Sequence, residues 1–190
     1  NTSHTYASDG AYTATLNLTS NAGCTASVSQ TVQVYPLPVA AFSAPTVCRT
    51  TATTFTNASS ISSGSITNWS WNFGDNGNST LASPSHTYLI TGAYSASLVV
   101  TSEHGCRDTV TNNVSINGLP VAVFSAPAVC AQTATQFVNS SYSSTGSISG
   151  YQWNFGDGFT STTNNPSHNY VAEGTFTVEL IATTALGCTD

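Results

Sequence analysis

The feature that most constrains this chain is an internal repeat of 82 residues. The pentapeptide Trp-Asn-Phe-Gly-Asp stands at residues 71–75 and returns at 153–157, and the two copies align without a gap. Residues 39–108 and 121–190 are identical at about half of their positions. Other residues recur at the same step: His4, His86 and His168; Cys24, Cys106 and Cys188; Cys48 and Cys130. A repeat of this length has the size of a small domain, so it predicts a tandem array of modules.

The repeat divides the chain into three segments. Residues 1–38 match the C-terminal half of a module, and residues 39–120 form one complete module. Residues 121–190 match a module without its last strand. Because the chain begins within a module and has no initiating Met, we expect it to be a piece of a longer protein.

Each module is predicted to consist of β-strands, because apolar and polar residues alternate over short runs. In the complete module the predicted strands cover 39–43, 53–57 and 68–73, followed by one strand with Tyr94, Ala96, Leu98 and Val100 and one with Val110, Val114 and Ile116. Clusters of Gly, Ser, Asn and Pro separate these runs, and no stretch has sustained helical periodicity. Several short strands in about 80 residues are typical of an immunoglobulin-like β-sandwich.

The junctions between modules are short and contain proline. Residues 35–38 and 117–120 leave about four positions between the last strand of one module and the first strand of the next. Because proline fixes its own φ and restricts the preceding residue, such linkers resist bending. We therefore expect a semi-rigid rod of modules.

Composition excludes several classes of function. Charged residues make up 5% of the chain, the only basic ones are Arg49 and Arg107, and the formal net charge is −6. A surface with so few cations does not follow a phosphate backbone, so nucleic acid is not an expected partner. The same deficit and the lack of a run of about 20 apolar residues argue against membrane docking or insertion.

Three motifs in fixed order resemble the PKD (polycystic kidney disease) repeat, whose pattern is WxFGDG, PxHxY and GxYxVxLxV. Here they are residues 71–75, 84–88 and 92–94, and they return at 153–158, 166–170 and 174–176. One departure is Asn76, where the pattern has Gly; Asn also tolerates the left-handed turn conformation. The resemblance implies a seven-stranded immunoglobulin-like sandwich used as an extracellular spacer, adhesin stalk or accessory module of a secreted enzyme.

The cysteine-bearing form of the repeat looks like modules of very large surface proteins of gliding, type-IX-secreting bacteria. This implies a secreted or cell-surface location, in a bacterium. The sequence Asp108-Thr109-Val110 resembles the short O-glycosylation signal of the same bacteria, which makes Thr109 a glycosylation candidate.

The motif carries acidic and imidazole groups, which suggest chemistry but are better explained by structure. We expect Asp75 and Asp157 to bond their own turn backbone, because a calcium site needs six or more oxygens and no second acid is near in sequence. His86 and His168 recur once per module, which is typical of packed strand residues. No nucleophile elbow, phosphate loop or HExxH signature is present. We therefore predict no catalytic residue, no metal and no cofactor.

One aromatic residue is a candidate ligand contact. Phe159 follows the Gly-Asp-Gly turn and is expected to be exposed, which suits stacking on a sugar ring. Trp69 and Tyr151 share a face with the motif tryptophans, so we expect them in or near the core.

The five cysteines lack the spacing of a metal site and indicate disulfides in an exported protein. One pairing joins Cys48 to Cys106 and Cys130 to Cys188, within each module. Sandwich topology places those partners at opposite ends of strands about seven residues long, roughly 20 Å apart, whereas a disulfide spans 4.4–6.8 Å between Cα atoms. In a head-to-tail array, Cys48 instead meets Cys188 of the next module. This inter-module pair is favoured, leaving Cys24, Cys106 and Cys130 for partners outside the chain; the intra-module pairing stays as the alternative.

The sequence thus predicts an extracellular structural array that acts as a stalk, adhesin or surface filament. Its expected partners are neighbouring modules or copies of itself, with surface glycans or proteins as further candidates. The alternatives are a spacer of a secreted hydrolase and a carbohydrate-binding module.

Overall fold

The computed structural model describes residues 2–190; residue 1, which begins the predicted half-module, lies outside the described residues. Over that range the regular elements are all β-strands. In chain order they are β1 (Gly10–Thr19), β2 (Thr25–Val34), β3 (Phe42–Ser43), β4 (Val47–Cys48), β5 (Ala52–Thr54), β6 (Thr56–Asn57), β7 (Ile66–Asn72), β8 (Asn78–Ser79), β9 (Ser85–Thr87), β10 (Gly92–Ser102), β11 (Arg107–Asn117), β12 (Phe124–Ser125), β13 (Ala134–Gln136), β14 (Val138–Asn139), β15 (Ile148–Asn154), β16 (Thr160–Ser161), β17 (Ser167–Asn169) and β18 (Glu179–Thr184).

The chain forms two compact units that do not follow the repeat boundaries. Unit 1 consists of Asn1–Ala44, Thr54–Pro84 and Ser95–Asn113. Unit 2 consists of Pro45–Thr53, Ser85–Tyr94 and Val114–Asp190.

Unit 1 contains the first hairpin and most of the second repeat. Strands β1 and β2 pair antiparallel from Gly10↔Val34 to Thr19↔Thr25. Strand β7 pairs antiparallel with β10 and β8, and β3 pairs with β6. The apolar side of β7 faces the core, where the Trp71 ring lies 5.1 Å from Phe42 and 5.4 Å from Phe55, both edge-on. Such edge-to-face packing adds to the area that these large rings bury.

Unit 2 contains the third repeat. Strand β15 pairs with β16 and β18, while β12 pairs with β14 and β13 with β17, all antiparallel. The core consists of buried residues from the motif and its neighbours: Phe137, Trp153, Phe155 and Leu180. Unit 2 also holds the parallel pair β4–β11, in which Val47 faces Ile116 and Cys48 faces Asn117.

Strands β10 and β11 lie in a five-stranded sheet of order β4-β11-β10-β7-β8. The all-β immunoglobulin-like sandwich predicted from the repeat is confirmed. The alternation of small and apolar residues on β10 buries Ala96, Leu98 and Val100 on one side, as the period of two requires.

Two predicted strands differ from the structure. The strand expected over 39–43 is reduced to Phe42–Ser43, with Val39 held by an isolated bridge to Ser60. The strand expected over 53–57 is two strands, β5 paired with β9 and β6 paired with β3. The pairing switches from β9 to β3 at Phe55, which lies between β5 and β6. The Phe55 amide donates to the carbonyl of Pro84 at 2.9 Å.

Candidate functional site

A disulfide joins the second repeat to the third. Cys48 and Cys188 are bonded, with 5.7 Å between their Cα atoms, and they are 140 residues apart along the chain. This is the pair that sandwich topology favoured. The alternative pairs Cys48–Cys106 and Cys130–Cys188 are not formed, because Cys188 is bonded to Cys48 while Cys106 and Cys130 are free.

Cys48 lies beside the residue at which the chain leaves the second repeat. It is the last residue of β4, beside Asn117, the last residue of β11 before the linker 118–120. The amide of Arg49 donates to the carbonyl of Asn117 at 2.8 Å, and the amide of Thr51 donates to the carbonyl of Cys48 at 3.1 Å. These bonds hold the strand that carries Cys48 next to the end of β11, where the chain leaves the second repeat.

Cys188 is held in the turn that follows β18. Its amide donates to Thr184 Oγ1 at 3.1 Å, and its carbonyl accepts from the Thr184 amide at 2.9 Å. The side chain is 1% exposed. The turn is therefore formed locally and presents the sulfur in a fixed, dry position.

The other late cysteines occupy the same turn. The amide of Cys106 donates to Ser102 Oγ at 3.2 Å, and that of Cys24 donates to Ser20 Oγ at 3.1 Å. Cys24, Cys106 and Cys130 are free thiols. The assignment of these thiols to partners outside the chain stays a prediction.

The linker before the third repeat is fixed by a glycine. The amide of Gly118 donates to Thr145 Oγ1 at 2.8 Å. A Cβ added at Gly118 would lie 2.6 Å from the same oxygen, so no other residue fits here without displacing Thr145. The preceding junction uses a different contact, since Tyr35 stacks on His104 with 3.5 Å between ring centroids.

The Trp-Asn-Phe-Gly-Asp motif builds a core and a turn. Trp71 and Trp153 are buried, and their indole N–H groups donate to the carbonyls of Leu81 and Thr163, each at 2.9 Å. Gly74 has φ +84°, and a Cβ there would lie 2.8 Å from the Ser95 carbonyl oxygen, so the turn requires glycine.

The acidic residue of the motif closes the turn, as the sequence predicted. Asp75 accepts from the Gly77 amide at 2.9 Å, and Asp157 accepts from the Phe159 amide at 3.2 Å. These side chains mimic a backbone turn. No group of three or more His, Cys, Asp or Glu side chains able to hold a metal occurs in residues 2–190.

Asp157 also bonds the motif histidine. Its Oδ2 accepts from His168 Nε2 at 2.6 Å, and the two side chains are 18% and 11% exposed. The imidazole stacks on Phe155 at 4.3 Å between centroids and meets the edge of Tyr170 at 4.6 Å. The histidine is thus a packed strand residue, as expected for a position that returns in every repeat.

The charges of this cluster shift two pKa values. Burial raises the pKa of Asp157, but the His168 hydrogen bond, the Phe159 amide and the positive charge of His168 outweigh it, and the net pKa lies below its usual value. Burial and the negative charge of Asp157 raise the pKa of Tyr170.

A second acidic position was missed by the sequence argument. Asp108 Oδ2 accepts from the Ala40 amide at 2.8 Å, and Asp190 Oδ2 accepts from the Ala122 amide at 2.8 Å. The amides of Ala40 and then Thr109 hold the pKa of Asp108 below its usual value, against a smaller rise from desolvation. The signal was available, because Asp108 and Asp190 are 82 residues apart and most other acids do not recur.

The remaining candidates lie at the surface. Phe159 is 63% exposed, and its ring centroid lies 5.4 Å from that of His168. Thr109 is exposed in β11, next to the bonded Asp108. A glycan contact at Phe159 and glycosylation of Thr109 remain predictions. Within the described range there is also no helix with the length and hydropathy to cross a membrane.

Comparisons with known proteins agree on the type of module. The PKD domain family matches residues 35–116 and 117–190. The pre-pro-metalloprotease PrtV of Vibrio cholerae is 39% identical over 69 residues, which cover 35% of this chain and 8% of that protein. Collagenase ColA of Bacillus cereus is 58% identical over 38 residues, covering 20% of this chain and 4% of the collagenase.

Among solved structures, the crystal structure of the PKD1 domain from the Vibrio cholerae metalloprotease PrtV is 34% identical. The alignment covers 42% of this chain and 96% of that domain, with a TM-score of 0.40. The chain therefore spans less than a tenth of the length of the two curated relatives and nearly all of the solved domain.

Proposed function

The chain belongs to the PKD domain family, and we propose that it is part of an extracellular structural array, a stalk, adhesin or surface filament built from disulfide-linked modules. The modules act as spacers, and we infer that these residues carry no catalytic activity. The proposed partners are neighbouring modules, further copies of the chain, and surface glycans or proteins.

The observation that carries this proposal is the Cys48–Cys188 disulfide. It connects two consecutive repeats, so tension applied to the chain passes through a covalent bond rather than through the strands between the cysteines. The regular spacing of the turn cysteines within this sequence extends the same linkage to further modules. A disulfide of this kind also favours an oxidising compartment outside the cytoplasm.

The contacts of the motif histidine support a non-catalytic role. His168 is enclosed by the rings of Phe155 and Tyr170 and bonded to Asp157 through Nε2. A general base in a hydrolytic triad uses one ring nitrogen for the acid and the other for a nucleophile in an open cleft. Here the imidazole packs against two aromatic rings and bonds the aspartate of the turn.

Single-molecule force spectroscopy tests the load-bearing role. With handles at the two termini, the oxidised protein should hide the residues between Cys48 and Cys188 from extension, a contour length of about 47 nm for 140 residues. Reduction, or the variant Cys48→Ser, should release that length. Full extension of the oxidised protein would overturn the proposal.

A second candidate is an accessory module of a secreted hydrolase. Its support is the likeness to a pre-pro-metalloprotease and to a collagenase. Binding of this chain to insoluble collagen, lost in Phe159→Ala and retained in Phe159→Tyr, would favour the accessory role. If the chain does not bind collagen, and its disulfide keeps the residues between Cys48 and Cys188 from extending under force, the array is favoured.

A further inference from the structure

The third repeat contains a short β-ribbon whose outer side is exposed and mostly apolar. Its two segments, residues 121–125 and 138–142, run antiparallel, with Val121 bridged to Tyr142 and β12 paired with β14. Successive residues of a strand point to opposite sides of the sheet. The outer side therefore carries the residues that we call the ribbon face: Val121, Val123, Ser125, Val138, Ser140 and Tyr142.

The large side chains of the ribbon face are open to solvent. The exposed fraction lies between 39% and 59% for its four largest members, Val121, Val123, Val138 and Tyr142. On the inner side of the same ribbon, Ala122 and Phe124 pack against the core of the repeat. A contiguous apolar strip on a surface marks an interaction site, whereas single exposed apolar residues do not.

The strands of a module leave this face open. In the second repeat the corresponding ribbon is formed by residues 39–43 and 56–60. There β11 is present, in the sheet that also holds β4, β10 and β7, and yet Val39 is 58% exposed. The exposure of the ribbon face therefore does not depend on the last strand of a module.

The ribbon face is more apolar in the third repeat than in the second. Three positions differ in this sense, given as the second repeat and then the third: Ala41 and Val123, Thr56 and Val138, and Ser60 and Tyr142. The second repeat forms the same ribbon with the smaller residues, so the fold does not require the larger ones. The added apolar area is available for a contact with another molecule.

Charge favours a second copy of this chain as that molecule. Two copies with a formal net charge of −6 repel each other, so contact between them is least opposed at a surface without charge. Neither segment of the ribbon contains a charged residue. The Asp190 carboxylate accepts from the Ala122 amide, and strand amides lie in the plane of the sheet, so this acid is at the ribbon edge and not on its face.

The shape of the face favours the same partner. A strip of valines on a sheet packs on the face of another sheet, whose side chains interdigitate with it. A sugar would find one aromatic ring, Tyr142, beside valines that offer its hydroxyl groups no hydrogen bond. The face amounts to a few hundred Å², less than the roughly 800 Å² per partner of a standard stable interface. The contact should therefore be weak and reversible.

We propose that two copies of this chain associate through the ribbon face, around a two-fold axis that passes across the strands at Val123. This axis brings the two Val123 side chains together and places Tyr142 of each copy over Val138 of the other. Such a contact uses the same patch on both copies, so it closes at a pair. The proposal rests on the proposed array function, because it names the surface by which copies of the array meet.

Sedimentation tests the pairing in a background without free thiols, which excludes accidental cross-links: Cys24→Ser, Cys106→Ser and Cys130→Ser. Between about 0.01 and 1 mM, the mass should rise from the 19.6 kDa of one chain towards twice that value. A mass that stays at one chain up to about 1 mM would overturn the proposal.

A variant with the residues of the second repeat identifies the surface. In the same background, Val123→Ala, Val138→Thr and Tyr142→Ser together should keep the mass at one chain, and a thermal unfolding transition shows that the variant is folded. The matched control is Leu186→His, which replaces a 60% exposed apolar residue outside the face by its counterpart in the second repeat, His104. The control should associate as the background does, and equal association of the triple variant would reject the ribbon face.

NMR of labelled valine methyl groups locates the contact without any substitution in the face. The signals of Val123 and Val138 should shift with protein concentration, while that of the exposed Val171 should not. Shifts confined to other valines would overturn the assignment. Shifts that appear at one-chain mass only when cellohexaose is added would assign the face to glycans and reject the second copy.

The failure of this proposal is distinguishable from the failure of the array. The length that the Cys48–Cys188 bond withholds from extension is a property of a single molecule. A chain that withholds this length but never pairs would keep the array and reject the ribbon-face contact. A chain that pairs but extends fully under force would reject the array and keep the contact.

Discussion

Asp157 and His168 show how one residue pair secures the most conspicuous motif of the chain. Their 2.6 Å contact lies against Phe155 and Tyr170 and is mostly shielded from water. A shielded hydrogen bond is electrostatically stronger than an exposed one, because the surrounding dielectric is lower. The imidazole of the third repeat is therefore explained by stability, and its place in the motif needs no catalytic reason.

Replacement of the histidine should weaken the third repeat. We expect His168→Ala to lower the free energy of unfolding by about 2 kcal/mol, because both the hydrogen bond and the ring contact are lost. His168→Phe, which keeps a ring on Phe155, should recover only part of that loss. Urea titration followed by Trp fluorescence measures both. The exposed His4→Ala is the control, and an equal loss there would contradict the assignment.

Acid should weaken the protein through Asp108 and Asp157. Both carboxyls have a folded-state pKa below the ordinary 3.8, so their contribution to stability is complete above that pH and is lost as the pH falls through the lower folded value. Thermal unfolding between about pH 2 and pH 6 measures the loss.

The matched variants separate this effect from general acid unfolding. Asp108→Asn removes the titrating group, so its stability should depend less steeply on pH in the acid range than that of the wild type. Asp9→Asn, which removes an exposed carboxyl, should retain the wild-type slope. Identical slopes for Asp108→Asn and the wild type would be inconsistent with the Asp108–Ala40 bond.

At the scale of elements, the long strands follow from the sequence and the short ones do not. Apolar alternation predicted the strand with Trp71 and Phe73. It also predicted β10 and β11 of the second repeat, since one buried face imposes a period of two. The strand expected at 39–43 is mostly absent because the amides of Ala40 and Ala41 bond side chains, Asp108 and Ser59, instead of backbone carbonyls of a neighbouring strand. The Asp108 partner is 68 residues away, beyond any local pattern.

The candidate site was predictable to the same extent. Strand length and the limits of disulfide geometry were enough to favour Cys48–Cys188, because both arguments concern distance along regular elements. The contact between Gly118 and Thr145 and the stack of Tyr35 on His104 were not predicted. Each depends on where a loop side chain points, which repeat spacing does not determine.

The linker glycine should be intolerant of a side chain. We expect Gly118→Ala to lower the free energy of unfolding by about 1–3 kcal/mol, because its Cβ would lie 2.6 Å from Thr145 Oγ1. Gly150→Ala is the matched control, since no heavy atom lies within 4 Å of a Cβ there. Chemical denaturation measures the unfolding free energy of both variants. Equal losses in the two would show that the contact between Gly118 and Thr145 does not restrict the linker.

At the scale of the whole molecule, one covalent bond outweighs most single contacts. The Cys48–Cys188 bond closes a loop of 140 residues, and a cross-link over so long a segment restricts the unfolded chain strongly. By contrast, an exposed salt bridge contributes about 0–1 kcal/mol, and a chain with 5% charged residues has few of them. The stability of linked repeats should therefore depend on redox state more than on ionic strength.

This dependence is measurable with a pair of variants. We expect the double variant Cys48→Ser, Cys188→Ser to lose about 2–5 kcal/mol of unfolding free energy, because the unfolded chain regains the freedom that the loop had removed. A reducing agent should destabilise the wild type by a similar amount and leave the double variant unchanged. Cys106→Ser, which removes a free thiol, should stay within about 0.5 kcal/mol of the wild type. Wild-type stability that is insensitive to reduction would mean that the bond does not constrain the unfolded chain, and the linkage between repeats would then rest on the linker contacts alone.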